Sequence, residues 1–209
     1  MSRDRVILDA AVRLFYERGF DGVGVDEIGV AAGVTGPAIY RHFRNKDEIL
    51  ATLFDEAMDR LLQLAGPPHE DPWEELRGLV RAQAEFALRD RELLSVYSRE
   101  DRSLAETSRR RLHRRQRQYV ERWVEVLRRC YPERAEDELT SAAYATIGLL
   151  LSIAHWPREA RTTARLESLL ESLVVGGLSA LEDRPHDANG QVPAVSTSAA
   201  GRASARRRS

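Results

Sequence analysis

One cysteine, Cys130, stands in 209 residues. That excludes an internal disulfide and a cysteine-based zinc site, and it suits a reducing compartment such as the cytoplasm. Lysine is as scarce: Lys46 is alone among 31 arginines. Long apolar runs are missing too. The longest, AYATIGLLLSIA at 143–154, holds a tyrosine and a threonine, and it falls short of the roughly 20 residues a membrane helix needs. Met1 is followed by Ser2, Arg3, Asp4 and Arg5 with no apolar stretch behind them, so no secretory signal and no membrane partner are expected. Alternating strand patterns of useful length are absent, as is any internal repeat. Net charge is nearly absent, at −1 overall. Residues 1–50 carry net −1, 51–182 net −3 and 183–209 net +3. Any contact with a polyanion must therefore come from local clustering, since no segment before the end is basic as a whole.

What the chain does have is helical punctuation. Ile7, Ala10, Ala11, Leu14 and Phe15 recur at three- and four-residue spacing and share one helix face. Gly19 reads as the residue that ends this helix, with Phe20 folding back on the last turn. A second helix is expected over 25–32, with acids in its first turn where the dipole favours them. Gly33-Val34 breaks it. Thr35 then opens a third helix, its hydroxyl placed to accept the Ala38 N–H, and Pro37 suits the first turn. Asn45 is expected to cap a fourth helix running from Lys46 to about Leu64, which Gly66-Pro67-Pro68 ends. Further helices are expected at 72–89, 91–98, 103–130, 136–156 and 158–182. From Pro185 onward the chain loses Leu, Ile and aromatics, the composition of a disordered tail. The fold class is all-α: a three-helix helix-turn-helix head over 1–50, a helical ligand-binding and dimerisation body over 51–182, and a tail over 183–209.

Short helix, tight turn and second short helix make a unit whose second helix enters a DNA major groove. Thr35, Gly36, Pro37 and Ala38 have the small bulk that a close approach requires. Ala38 suits a thymine methyl, and Thr35 a base edge or phosphate. Tyr40, Arg41 and His42 offer polar groups to phosphates, Arg41 also to guanine. Ile39 and Phe43, four apart, are expected in the core. Lys46 sits at a helix start where its charge opposes the dipole, a conflict a phosphate would relieve.

The string VDEIGVAAGVTGPAIYRHFRNKDEIL resembles the DNA-binding head of the tetracycline-repressor (TetR) family of bacterial regulators. The likeness covers roughly residues 5–50 and is strongest in Ala-Gly-Val-Thr, Ile-Tyr-Arg-His-Phe and Lys-Asp-Glu. It departs from the family pattern at Gly24, where Ser or Thr often caps the second helix, at Gly29, and at Gly36. The resemblance implies an all-helical homodimer on a near-palindromic double-stranded operator, with a body that binds a small molecule and so lowers DNA affinity. By the same carry-over Thr35, Tyr40, His42 and Lys46 are DNA-contact positions.

In the body, Leu139, Ala143, Ile147, Leu150 and Ala154, then Leu166, Leu169, Leu170, Leu173, Leu178 and Leu181, form wide apolar faces suited to an isologous four-helix interface or to an intramolecular pair. Gln116, Tyr119 and Trp123 share a face of the long helix and are candidate ligand-pocket residues, with Tyr97, Tyr144 and Trp156 as neighbours. Seven arginines at 109–122 read as a solvated face, or as a seat for the phosphates of an acyl-coenzyme A at Arg110, Arg114 and Arg117. An enzyme finds little support: the five histidines are scattered and phosphate-loop and nucleophile motifs are lacking. The adjacent acids Glu74-Glu75 and Asp137-Glu138 read as surface. No catalytic residue, metal or cofactor is expected, and a helical module binding protein alone leaves the Thr35–Lys46 string unaccounted for. The reading is a ligand-responsive transcriptional repressor of the cytoplasm, released from its operator by a hydrophobic or acyl-type effector. The alternative is an all-helical small-molecule-binding protein or enzyme that does not use its helix-turn-helix for regulation.

Overall fold

The computed structural model describes residues 2–162 and 165–181, and no strand occurs among them. The expected tail lies outside the described residues.

Helix α1 (Arg3–Arg18) begins at Ser2, whose hydroxyl accepts the Arg5 N–H at 3.2 Å. It ends at Gly19, where φ is +75° and the N–H returns to the Phe15 carbonyl at 3.0 Å, a turn that disfavours any side chain. Helix α2 (Val25–Ala31) lacks a side-chain cap because Gly24 occupies that position. Glu27 compensates from inside the first turn: its carboxylate accepts the Gly24 N–H at 2.8 Å and pairs with Arg18 at 2.7 Å. Helix α3 (Gly36–Ile39) is only four residues long, shorter than expected. The Thr35 hydroxyl makes no cap either. The Thr35 carbonyl, not its side chain, receives the Ala38 N–H, at 2.8 Å. Turns over 40–42 carry the chain on to α4 (Lys46–Ala65), capped as expected by Asn45, which accepts the Glu48 N–H at 2.8 Å.

The body holds α5 (Pro72–Arg89), α6 (Arg91–Glu100), α7 (Glu106–Cys130), α8 (Glu136–Ser152), α9 (Arg158–Arg161) and α10 (Leu166–Ser179). Short 3₁₀ turns at 101–103 and 153–155 shorten α7 and α8 relative to expectation. The expected helix over 158–182 is two pieces, and Arg165 before the second has φ +67°. Helix α5 is central, packed against α4, α6, α7, α8 and α10. One continuous apolar core runs from Ile7, Phe15 and Ile28 in the head through Leu50 and Leu79 to Trp123 and Leu170 in the body. The joint between head and body is therefore a packed interface, not a linker.

Glu75 corrects the surface reading of the Glu74-Glu75 pair. It is 5% exposed, and its carboxylate binds Arg122 at 3.1 Å and Arg129 at 2.9 Å. Two guanidiniums from α7 satisfy the buried charge, so the pair ties α5 to α7.

Candidate functional site

The head presents a clear division of faces. Ile39 is wholly buried and Phe43 nearly so. Burial of each is worth about 1.5–3 kcal/mol, and together they fix the roll of the segment after the turn. The opposite face is exposed Thr35, Pro37, Tyr40, Arg41 and His42, with Ala38 half-buried. Gly29 lets α2 approach the turn: an added Cβ would lie 3.4 Å from the Val34 carbonyl oxygen. His42 is anchored through Nδ1 to the Asp4 carboxylate of α1 at 2.5 Å. Arg41 has no charged or hydrogen-bonding partner for its guanidinium among the described residues, and neither has Arg44. A small-residue entry followed by unpaired cations is an arrangement that can meet a groove and its flanking phosphates.

Lys46 is placed differently from the expectation. Its ammonium donates to the carbonyls of Phe20 at 2.9 Å and Val23 at 3.4 Å, and lies 4.3 Å from the centre of the Phe20 ring. These oxygens supply the negative partner that the helix start lacked, and they hold the α1–α2 connection onto α4.

The body encloses a cavity of about 550 Å³ between α4, α5, α6, α7 and α8. Its wall is mainly apolar, from Phe54, Met58, Phe86, Leu93, Leu112 and Ile147. The polar lining is small. Gln116 Nε2 donates to the Tyr97 hydroxyl at 2.9 Å, and His113 Nε2 meets the Asp101 carboxylate at 3.0 Å. Gln83, on the central helix and 1% exposed, has an amide oxygen with no hydrogen-bond partner. The Tyr119 hydroxyl, 4% exposed, is likewise without one, and burial pushes its pKa up to about 12. Arg117 and Tyr144, both exposed, stand at the cavity's outer edge.

The family model described as bacterial regulatory proteins of the tetR family matches residues 7–53. A second, a tetracyclin repressor-like C-terminal domain, matches residues 69–160. This chain belongs to the TetR family. It is similar to the fatty acid metabolism regulator protein of Bacillus subtilis (strain 168), 40% identical over 57 residues, which are 27% of this chain and 29% of that protein. The chain spans less than two thirds of the length of the curated relatives it first matches. Among solved structures it resembles the fatty acid degradation regulator FadR from Bacillus halodurans, at 26% identity and a TM-score of 0.65, over 85% of this chain and 97% of that one. It shares its fold with AibR, solved with isovaleryl coenzyme A and operator DNA, at 22% identity and a TM-score of 0.68, over 86% and 97% of the two chains.

Within this TetR-family chain the structure brings together four of the six expected pocket residues: Tyr97, Gln116, Tyr119 and Tyr144 line the cavity. Trp123 and Trp156 do not. Trp123 is wholly buried in the core behind Tyr119, and Trp156 turns its Nε1 to the Ser152 hydroxyl at 3.2 Å. A shared helix face could not separate them, since one face of α7 serves both cavity and core. The arginine run resolves similarly. Arg110 pairs with Glu106 at 2.5 Å, Arg111 and Arg115 pair with Asp55 of α4, and Arg122 binds Glu75. Arg114 and Arg117 have no such partner among the described residues. The sequence reading missed Arg44, legible beside Arg41, and Val30, which is 80% exposed on α2. It also missed Gln83, whose neighbours in sequence give no sign of a cavity. Cys130 is half-buried, and burial raises its thiol pKa to about 11, which leaves it an unreactive thiol at neutral pH.

Proposed function

We propose that this protein is a cytoplasmic, ligand-responsive transcriptional repressor that binds a near-palindromic operator as a homodimer. The observation that carries the reading is the exposed face of Thr35, Pro37, Tyr40, Arg41 and His42, held outward by buried Ile39 and Phe43. Thr35, Gly36, Pro37 and Ala38 approach base edges, while Tyr40, Arg41 and His42 engage phosphates. Lys46 contributes from behind, holding the helix-turn-helix to α4; a direct phosphate contact would require it to release Phe20 and Val23. Dimerisation uses the uncovered apolar side of α8 and α10, where Leu149, Leu169 and Leu173 are exposed. No helix among the described residues is long and apolar enough to cross a membrane.

The effector is a small hydrophobic or acyl-type molecule seated in the α4–α8 cavity, against Tyr97, Gln116, Tyr119 and Tyr144. The apolar wall supports this, as do relatives named for fatty acid metabolism and degradation. Of the arginines at 109–122, only Arg117 lines the cavity, and it would be the one free there to meet acyl-coenzyme A phosphates. Fluorescence anisotropy on DNA from the protein's own upstream region, against scrambled DNA across a salt series, tests the reading. The expected result is preferential, salt-dependent binding that added effector relieves. Binding to no member of a randomised DNA pool, with the dimer intact, would overturn it.

A further inference from the structure

An apolar cavity normally carries few polar groups, and each of them finds a partner. Here two do not. The Gln83 amide oxygen and the Tyr119 hydroxyl are both buried with no hydrogen-bond partner among the described residues. Of the other polar groups of the lining, Tyr97 is engaged with Gln116 and His113 with Asp101, while Arg117 and Tyr144 are exposed at the outer edge. Leaving a buried amide oxygen without a donor is destabilising, and a leucine would have filled the same volume without that burden.

We infer that the effector carries a neutral hydroxyl at its buried end, donated to Gln83 Oε1, with its apolar body along the cavity and any charge at the Arg117 rim. The inference rests on the cavity being the effector site and adds the class of molecule it selects. The direction follows from exposure. Gln83 is 1% exposed on the central helix, whereas Arg117 is exposed at the outer edge, so a bound molecule enters with its apolar part and meets Gln83 last. The buried orphan is an acceptor and the amide N–H groups of Gln83 have no partner among the described residues either, so the group that satisfies this amide must donate and must be able to accept. A methyl-ended acyl chain does neither and would leave Gln83 as it found it. A carboxylate at that end would add a second acceptor and an uncompensated charge in an apolar site. A hydroxyl donates to Gln83 Oε1, keeps lone pairs that can accept an N–H, and brings no charge.

Dodecanoic acid and 11-hydroxyundecanoic acid have the same length, with a methyl exchanged for a hydroxyl. Calorimetric titration of each into the full chain, and into Gln83→Leu, reads the preference without using DNA. The wild-type protein is expected to bind the hydroxylated chain about tenfold more tightly, as expected where a buried acceptor gains its partner. Gln83→Leu is expected to reduce the preference to within about twofold and to bind dodecanoic acid at least as well as wild type. Its melting temperature, unchanged or raised, would show that the fold is kept. Equal affinities in wild type, or a preference that survives Gln83→Leu, would overturn the inference while leaving the cavity as a binding site. Binding of neither chain by protein that still holds its operator would overturn both.

Discussion

Lys46 illustrates how much a single side chain depends on what folds against it. Its position, alone among arginines at a helix start, pointed to a phosphate. The structure meets the same electrostatic need with two backbone carbonyls. Lys46→Ala is therefore expected to destabilise the protein by about 1.5 kcal/mol, the low end for a hydrogen bond from a charged group. Urea unfolding measures this, and the slope of operator affinity against salt should stay near wild type. A slope flattened by about one phosphate contact, with stability unchanged, would return Lys46 to the DNA surface. Glu27 offers a pH-dependent counterpart. The Gly24 N–H and then Arg18 hold its carboxylate below the ordinary value of 4.5. A depressed folded value means that its contribution is present above pH 4.5 and is lost as pH falls through the folded value. Glu27→Ala should melt below wild type at pH 7, and the gap should close on acidification; a gap independent of pH would remove the ionic role.

At the scale of elements, the wide apolar faces of α8 and α10 divide in two. Leu139, Ala143, Leu150, Leu166, Leu170 and Leu178 are buried within the protomer, against α5 and each other. Leu149, Leu169 and Leu173 remain uncovered. The intramolecular pair accounts for the inner side of these helices, and the proposed subunit interface would take the outer one. Leu173→Glu places a charge on the outer side without touching the inner one. It is expected to shift the protein to monomer in analytical ultracentrifugation, to leave its helical content unchanged, and to weaken operator binding by at least about tenfold through the loss of paired heads. A dimer that persists would move the interface elsewhere. Boundaries were legible where local chemistry sets them, as at Asn45, at Asp71-Pro72 and at Gly19. They were missed at 153–155, at the end of α9 and at the start of α10, where no proline or glycine marks the boundary.

Across the whole molecule, α6 joins cavity to head. Its Leu93, Leu94 and Tyr97 line the cavity. Two residues beyond Tyr97, Arg99 donates to the Tyr16 carbonyl at 2.9 Å, and one residue later the Glu100 carboxylate accepts the Phe20 N–H at 3.2 Å. A ligand that displaces Tyr97 acts on the same helix that holds the end of α1. Coupling of this kind usually amounts to about 1–3 kcal/mol. Glu100→Ala is expected to keep effector affinity for the DNA-free protein within about twofold while cutting the effector's weakening of operator binding severalfold. Unchanged coupling, measured by anisotropy with and without effector, would assign transmission to another contact.

The sequence by itself determined the helical class, the helix-turn-helix and its inward pair Ile39 and Phe43, because periodicity, caps and turn residues act over a few positions. It also carried the outward face from Thr35 to His42, since burying two residues of a short segment exposes the rest. Only the tertiary structure decided that Lys46 faces carbonyls, that Glu75 is buried between two arginines, and that Tyr119 meets a cavity while Trp123 on the same face does not. Those outcomes depend on which distant helix supplies the neighbouring atoms. Gln83 is the clearest case: an unpaired amide is a property of its surroundings, and those come from helices far apart in the chain.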